Sequence, residues 1–593
     1  MHGLIAYSGP NSVGARRIIE TIAAGGLELA SSSDGRTLVA VHGAGSVTRL
    51  VTEQGTATAF YGSAAQGCMS SSASLLDADP DDVVAAGFDS DGRLVVAAGR
   101  GSHRIFVVHD TSGGVWVSSS LHSLRRANPS LRLDRSYEDF LLGFGFVPDP
   151  HSMYDGVRVV KAGTRVSPAS ANGGIENVTP ISYAPNTSTK RDEIIDALHD
   201  TLVETIAEQA GTHRRHAVLL GGFDSALVAA VLVGLGHEVE TYTFRFADKT
   251  YVQRNIDQFT AHLGVRHHWV DFDSSVIAEN LRGFADTFTQ PCSQPHYQIH
   301  TLHAARRIAA DGHDHIFTGD GCDAIFLGYP TVSRRASISA ATKRIPPALT
   351  RLAIGGLSNS IVERRLGHVA RMVRGTLNNR LLDEIVGAHL PTQVFDAAAL
   401  ARLRESAPPH QAEEVLAIRT RLAAGLDNLN RTQLAFNGNG LNGQSKVKVD
   451  GAVASTGIAQ ASPFMHSRLR TFVSGIPFEY LRSQGSSAAS AGKEILVDMV
   501  RRRGLLPDVV IDQPKQSPSD SPVDDWYMNE LRDEIMSQLG DLPFSWNRRY
   551  VEDLLAPKLA ESWYRNKVSI SHHTMQVIGL LASYASFNRA SER

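Results

Sequence analysis

The stretch His216–Gly236, HAVLLGGFDSALVAAVLVGLG, constrains the fold of this 593-residue chain more than any other. An apolar run ends in a Gly-Gly turn and a dense run of small apolar residues follows, which predicts a strand feeding directly into a helix. The pattern continues downstream. VETYTFRF (239–246) reads as a strand, TYVQRNIDQFTAHLG (250–264) as a helix, HHWVDFD (267–273) as a short strand, and IFTGDGCDAIFLGYP (316–330) as another strand with a Gly-rich turn. Alternating strands and helices imply a parallel α/β sheet, because parallel neighbours need a crossover. In open sheets of this kind ligands lie outside the carboxyl ends of the strands, where both Gly-rich turns fall.

The first 180 residues read differently. They are rich in Gly, Ser and Ala, and short alternating runs such as GRLVVAAG (92–99) and HRIFVVHD (103–110) make that half mainly β. At SYAPNTSTKRDE (182–193) a polar stretch precedes Ile194, Ile195, Leu198, Leu202 and Ile206, which share one helix face. The expected domains are therefore 1–185 and 186–593, in keeping with a prior of about 150 residues per domain that allows two large units. Segment 331–430 is helical in composition, and its basic run RRLGHVARMVRGTLNNR (364–380) reads as a solvated face.

Composition narrows the partners. Lys and Arg number 58 against 61 acidic residues, a net charge of −3, which supplies no overall field for nucleic acid or an anionic membrane. Cys68, Cys292 and Cys322 are too few and scattered for a disulfide framework or a cysteine zinc site, so a reducing cytoplasm is expected. The start lacks a signal-peptide core, and no apolar run approaches the roughly 18 residues of a membrane helix. The 24 histidines show no HExxH or similar ligand spacing and read as scattered core or surface residues.

Chemistry concentrates in the two turns. At Leu219-Leu220-Gly221-Gly222-Phe223-Asp224-Ser225, backbone N–H groups and a helix N-terminus converge where two glycines allow a phosphate close approach. A carboxylate beside phosphates is repelled unless Mg²⁺ lies between, so Asp224 points to a metal-bound nucleotide. The second turn, Thr318-Gly319-Asp320-Gly321-Cys322-Asp323, adds two carboxylates at the same end of the sheet. Asp224 and Asp323 are the expected metal ligands.

In order and spacing, LGGFDSA and TGDGCDAIFLGYP resemble the SGGxDS and SG(D/E)G(G/A/S)DE(L/V)FGGY motifs of the asparagine synthetase-like amidotransferases. SPFMH (462–466) is similar to that family's PFLD, and GKEILVDMVRRRGLLPDVVIDQPKQSPSDSPVDDW (492–526) to its GK-x-x-LR…LP…K…W end. The resemblance covers about 190–530 and implies a PP-loop ATP pyrophosphatase (adenine nucleotide α-hydrolase-like) synthetase domain with a helical C-terminal part, using ATP and Mg²⁺. It implies that a substrate carboxylate attacks the ATP α-phosphate and that an amine then takes the acyl group from AMP. By this resemblance Leu219, Leu220, Gly221, Gly222 and Ser225 form the pyrophosphate loop with Gly319 and Gly321 opposite. Lys515 stabilises charge on the phosphate and the tetrahedral intermediate, and Asp320 is the general base. Tyr297, His300, Ala324 and His466 fall at positions facing substrate.

The first half more faintly resembles the family's glutaminase domain, an Ntn-type αββα fold, through 84–124 and 137–166. Its start departs: the family opens MCG, whereas here Met1-His2-Gly3 stands, and histidine cannot form the thioester. This domain therefore reads as degenerate. In the synthetase part Leu220 replaces a serine, Ala324 an acidic residue, Leu327 a glycine and His466 an aspartate, and GIAQASPF (457–464) lacks the family's Glu and Arg. Members without the glutaminase cysteine include β-lactam synthetases and lasso-peptide macrolactam cyclases, which use an amine of the substrate itself. The cyclase is the favoured expectation, with a leader-peptide-binding protein and a processing protease as its implied partners. Ammonia-dependent asparagine synthesis, another small-molecule amide ligation of the β-lactam type, and a non-catalytic nucleotide-binding subunit are the alternatives.

Overall fold

The computed structural model describes residues 3–22, 26–42, 48–62, 83–99, 103–160 and 163–167 apart from positions 54, 139–140, 143–144, 146 and 148, then 175–177, 187–246 apart from 212, 253–328, 345–357, 373, 377, 403, 449–481, 492–512, 522–555 and 570–592. The N-terminal half supplies twelve described strands: β1 (Gly3–Ser8), β2 (Leu27–Ser31), β3 (Thr37–His42), β4 (Thr48–Glu53), β5 (Thr56–Gly62), β6 (Val83–Phe88), β7 (Leu94–Ala98), β8 (Phe106–His109), β9 (Val115–Ser118), β10 (Arg158–Val159), β11 (Thr164–Val166) and β12 (Ile175–Asn177). They form two antiparallel sheets, β10-β8-β9-β1-β3-β2 and β12-β11-β7-β6-β5-β4. Strand alternation decides how these stack. Leu4 and Ala6 of β1 turn toward Ala57, Ala59 and Tyr61 of the second sheet, whereas Ile5 and Tyr7 turn the other way, onto Ala15 and Ile19 of the helix Ser12–Ile22.

Helix, sheet and sheet thus stack as three layers, where the expected αββα fold asks for four. Helices covering the outer face of the second sheet are not among the described residues.

The second half begins with the helix Arg191–Ala210, whose buried positions include the expected Ile194, Ile195, Leu198, Leu202 and Ile206. Then come β13 (Arg215–Leu219), β14 (Glu238–Phe246), β15 (Arg266–Phe272), β16 (His315–Phe317) and β17 (Ala459–Ala461), all parallel, in the order β15-β14-β13-β16-β17. The chain first winds outward from β13 through β14 to β15, then returns to the other side of β13 to place β16 and β17. That reversal leaves a crevice beyond the carboxyl ends of β13 and β16, the place where such sheets bind ligands. The change from antiparallel to parallel sheet falls between Asn177 and Arg191. The expected boundary at 185/186 lies outside the described residues, as do 364–380 apart from two positions and most of 331–430, within which the helix Pro347–Leu357 is described.

The two halves share one apolar core. Leu124, Leu141 and Tyr154 of the first half pack with Phe284, Phe288, Ile299 and Phe587 of the second, and Arg125 Nη1 donates to Ala285 O at 3.0 Å across the seam. Burial of this kind contributes about 25 cal/mol per Å² of apolar surface. No described helix is long and apolar enough to cross a membrane.

One expectation needs correction. Four of the 24 histidines are not scattered: His213, His216, His237 and His315 gather where β13, β14 and β16 begin, because parallel strands bring the residues at their starts to one edge.

Candidate active site at the carboxyl ends of the parallel strands

β13 ends at Leu219, and the helix Phe223–Gly234 starts after Gly222. Between them Ser225 Oγ accepts from Gly221 N at 2.9 Å and Gly222 N at 3.3 Å, so the turn's amides already point at one oxygen. A Cβ added at Gly221 or Gly222 meets nothing within 4 Å, so neither glycine is required to avoid a protein neighbour. The room there is open to a ligand. Leu220 lies with its side chain in the core beneath the helix, at 3% exposure, while its backbone N–H donates to Tyr242 O. The hydroxyl missing at this position is replaced by core packing, leaving the amide cradle formed.

The second turn leaves β16 and presses on the first. A Cβ at Gly319 sits 2.7 Å from Asp224 Cβ and from Ser225 N, so glycine there is a packing requirement. Gly321 takes φ +93 ahead of the short helix Cys322–Ile325. Asp320 is held firmly: its Oδ2 accepts from Thr318 Oγ1 at 3.0 Å and Gln460 Nε2 at 2.9 Å, and Ser462 Oγ donates to its carbonyl. A carboxylate fixed in this way has the chemistry of a positioned base.

Lys493 joins the two turns. Its Nζ lies 2.6 Å from Asp224 Oδ1, 2.8 Å from Asp224 Oδ2 and 2.6 Å from Asp323 Oδ1. Burial opposes the ammonium charge, but Asp224 and then Asp323 outweigh it, and the pKa stands well above the ordinary lysine value. The Cys322 thiol is pushed well up by burial and then by Asp224, which keeps it protonated beside these charges. Lys493 and Leu327 are the two non-glycine residues with left-handed backbone among those described, at φ 65 and φ 55. Such a conformation costs about 1–2 kcal/mol each. The glycine-preferring conformation is thus retained at Leu327 despite the leucine. A Cβ at Gly328 would strike Asp323 and Lys493, and one at Gly492 would strike Leu327 O, so the first glycine makes way for the lysine and the second for the backbone of Leu327.

Asp224 and Asp323, expected to share Mg²⁺, therefore converge on a lysine. Two carboxylates against one ammonium leave a net negative charge, all donors are hard oxygens, and the glycine cradle beside them is open. That set fits Mg²⁺ carried on a nucleotide's phosphates.

The remaining candidates divide. Ala324 and Leu327 are 2% and 0% exposed and belong to the core beneath the turn, and this packing removes their side chains from any pocket wall. His466 caps the helix Ser467–Ser474 by accepting from Arg468 N at 3.3 Å, and its Nε2 lies 3.6 Å from Glu208. It serves a helix end. His300 packs edge-on against Phe272 at 4.0 Å and near Phe244 and Phe246, with Tyr297 one turn away, in an aromatic cluster at the carboxyl ends of β14 and β15. Lys515 lies outside the described residues. Sequence reading passed over Lys493, Thr318, Gln460 and Ser462. The glycine before Lys493 was a usable signal, since Gly-Lys at a helix start places a cation beside a turn.

The profile of the asparagine synthase family matches residues 197–584. The glutamine-hydrolysing asparagine synthetase 1 of Bacillus subtilis (strain 168) is 20% identical over 437 residues, 71% of this chain, and the match spans 64% of that relative's length. A structure of NMN synthetase from Francisella tularensis aligns with 24% of this chain and 60% of its own at 16% identity and a TM-score of 0.17, too low to speak for a shared fold.

Proposed function

Because the chain belongs to the asparagine synthase family, we propose that it is an AMP-forming carbon–nitrogen ligase that activates a carboxylate with ATP and closes a macrolactam on a lasso-type precursor peptide without hydrolysing glutamine. The observation behind the ligase reading is the convergence of Asp224, Lys493 and Asp323 between two Gly-rich turns at the sheet's reversal point. Gly221 and Gly222 N–H groups bind the leaving pyrophosphate, exchanging the Ser225 Oγ contact for phosphate oxygens. Asp224 and Asp323 are the residues that would hold Mg²⁺ beside the phosphates, where the ion would supply charge neutralisation on the nucleotide. Lys493 stays charged at neutral pH, holds the two carboxylates in place and offsets their repulsion toward phosphate.

The carboxylate oxygen attacks the α-phosphorus and the bond to pyrophosphate breaks. The amine nitrogen then attacks the acyl carbon, AMP leaves, and the Asp320 carboxylate, held through Oδ2 by Thr318 and Gln460, takes the amine proton. Lys515 is the expected stabiliser of the tetrahedral intermediate.

The peptide reading rests on His2, which stands where a glutaminase has its nucleophile, and on the missing RGPD and NGEIYN stretches that would hold glutamine. An enzyme without its own ammonia source draws its amine from free ammonium or from the substrate, and the peptide reading takes the second. A leader-peptide-binding protein and a processing protease are the partners this reading calls for. Mg-ATP incubated with a candidate precursor peptide should give AMP, pyrophosphate and a peptide lighter by one water. Asparagine from free aspartate and ammonium would instead establish the ordinary synthetase, and absence of AMP with every substrate would leave a nucleotide-binding subunit.

A further inference from the structure

The opposite edge of the parallel sheet holds a second polar cluster that the ligase chemistry does not use. His213 lies in the turn ahead of β13, His216 is the second residue of β13, His237 precedes β14, and Asp314-His315 opens β16. Pairing of Ala217 with Ile316 brings His216 beside His315. The hydrogen bonds among them orient the rings. His216 Nε2 lies 3.1 Å from the carbonyl of His213, which only accepts, so Nε2 carries the proton. His216 Nδ1 lies 2.9 Å from His315 Nε2, and His315 turns its own Nδ1 toward Asp314 Oδ1, 3.2 Å away.

His213 completes the set. One ligand atom each from His213, Asp314 and His315 lies within 4.8 Å of the others, and the His213 and His315 rings are 4.9 Å apart. We propose that His213, Asp314 and His315 bind a divalent transition-metal ion of the zinc class at the amino-terminal edge of the sheet. Two imidazoles and a carboxylate are borderline ligands that favour Zn²⁺ over Mg²⁺, with water filling the fourth position. Zn–N and Zn–O bonds near 2 Å ask the ligand atoms to close by about 1.5 Å. His213 on its turn and the half-exposed Asp314 have room to move. The relay from His315 Nε2–H to His216 Nδ1, and from His216 Nε2–H to the His213 carbonyl, then supports the ligands, since a metal-bound imidazole is oriented by what its other nitrogen donates to. The site lies about 15 Å from the nucleotide turn, one strand length away, and its role is to tie the start of β16 to the turn before β13.

The test uses the full chain, stripped with a chelator and then titrated with Zn²⁺ in a large excess of Mg²⁺, which keeps Asp224 and Asp323 out of the reading. Calorimetry and elemental analysis should give one tightly held Zn²⁺ per chain, with a raised Tm. Co²⁺ in its place should show the visible absorption of a four- or five-coordinate ion. Asp314→Asn and His213→Ala should each weaken binding at least tenfold and shift or abolish the Co²⁺ spectrum. His199→Ala, a surface histidine beside Asp200 on another helix, should leave both unchanged. Both diagnostic substitutions fall on partly exposed side chains, and the wild-type titration stands even if a variant misfolds. Wild type that holds no zinc below about 10 μM, or variants that hold it as tightly as wild type, would overturn the proposal and leave Asp314 and His315 as a hydrogen-bonded pair.

Discussion

The two ends of one parallel sheet solve the problem of gathering charge in different ways. At the carboxyl end, β13 and β16 each release a Gly-rich turn, the carboxylates Asp224 and Asp323 stand on the helices those turns open, and Lys493 arrives from far along the chain to neutralise part of their charge. At the amino end Gly211, Gly236 and Gly312 close the helices that lead into these strands, and none of them opens a helix over the cluster. Imidazoles pack edge to face and pass hydrogen bonds to one another. The carboxyl end gathers charged groups beside an open glycine cradle, whereas the amino end gathers rings around the buried His216 and His315. Loops leaving strands can be redrawn without disturbing the ladder, so a nucleotide site belongs at the first end, and a compact structural site suits the second.

Breaking the charged end should have the largest effect. Lys493→Met leaves two carboxylates facing each other in a partly buried space. AMP formation should fall at least a hundredfold to a thousandfold, by the scale on which charge-stabilising groups act, and denaturant unfolding should show a loss of about 3 kcal/mol. In the wild type this contribution is fully present below the ordinary lysine pKa of 10.5 and is lost only as pH rises through the higher folded value. Equal activity in variant and wild type would remove Lys493 from the site.

A pair of glycines sharpens the contrast between cradle and packing. Gly221→Ala adds a methyl to open space, so Tm should hold within about 2 °C while KM for ATP rises about tenfold or more. Gly319→Ala drives a methyl into Asp224 and Ser225, and both Tm and kcat should fall, the stability by about 1–3 kcal/mol. Identical behaviour of the two would mean that the first turn does not contact ligand. Gln460→Ala frees one side of Asp320, and the acid limb of the kcat profile should shift while KM for ATP stays within about twofold.

The smallest effect concerns a histidine near the sheet edge, outside both clusters. Burial and then His268 lower the His267 pKa to about 4, from 6.5. The unfolded chain therefore binds a proton first as pH falls, and stability present above pH 6.5 declines toward pH 4. Discounted for solvent access, the loss attributable to this ring is up to about 1 kcal/mol. His267→Gln should flatten urea-unfolding stability between pH 7 and pH 5 by that amount, and an unchanged slope would assign the acid sensitivity elsewhere.

The carboxyl end was legible because its parts are contiguous. LGGFDSA and TGDGCDAIFLGYP each hold strand end, turn and carboxylate in one short run, and turn chemistry is local. The alternation that predicts a parallel sheet is local too. Lys493 was harder, because its pairing with Asp224 is set by packing between distant segments, and a GK dipeptide alone does not say which carboxylates it meets. Ala324, Leu327 and His466 looked like pocket residues by position, yet side-chain direction depends on the backbone, which turns the first two into the core and makes the third a helix cap. The histidine cluster was illegible for a plainer reason. It draws one or two residues from each of three strand starts, and no spacing rule along the chain registers a relation created by parallel pairing.

The most direct test of the ligase account is the fate of oxygen from the substrate carboxylate. A precursor peptide labelled with oxygen-18 in its acceptor side-chain carboxylate, turned over with Mg-ATP, should deliver one labelled oxygen to AMP and none to pyrophosphate, because the carboxylate attacks the α-phosphorus. Label found in inorganic phosphate, or amide formation with unlabelled AMP, would contradict activation at the Asp224–Lys493–Asp323 site by the proposed route.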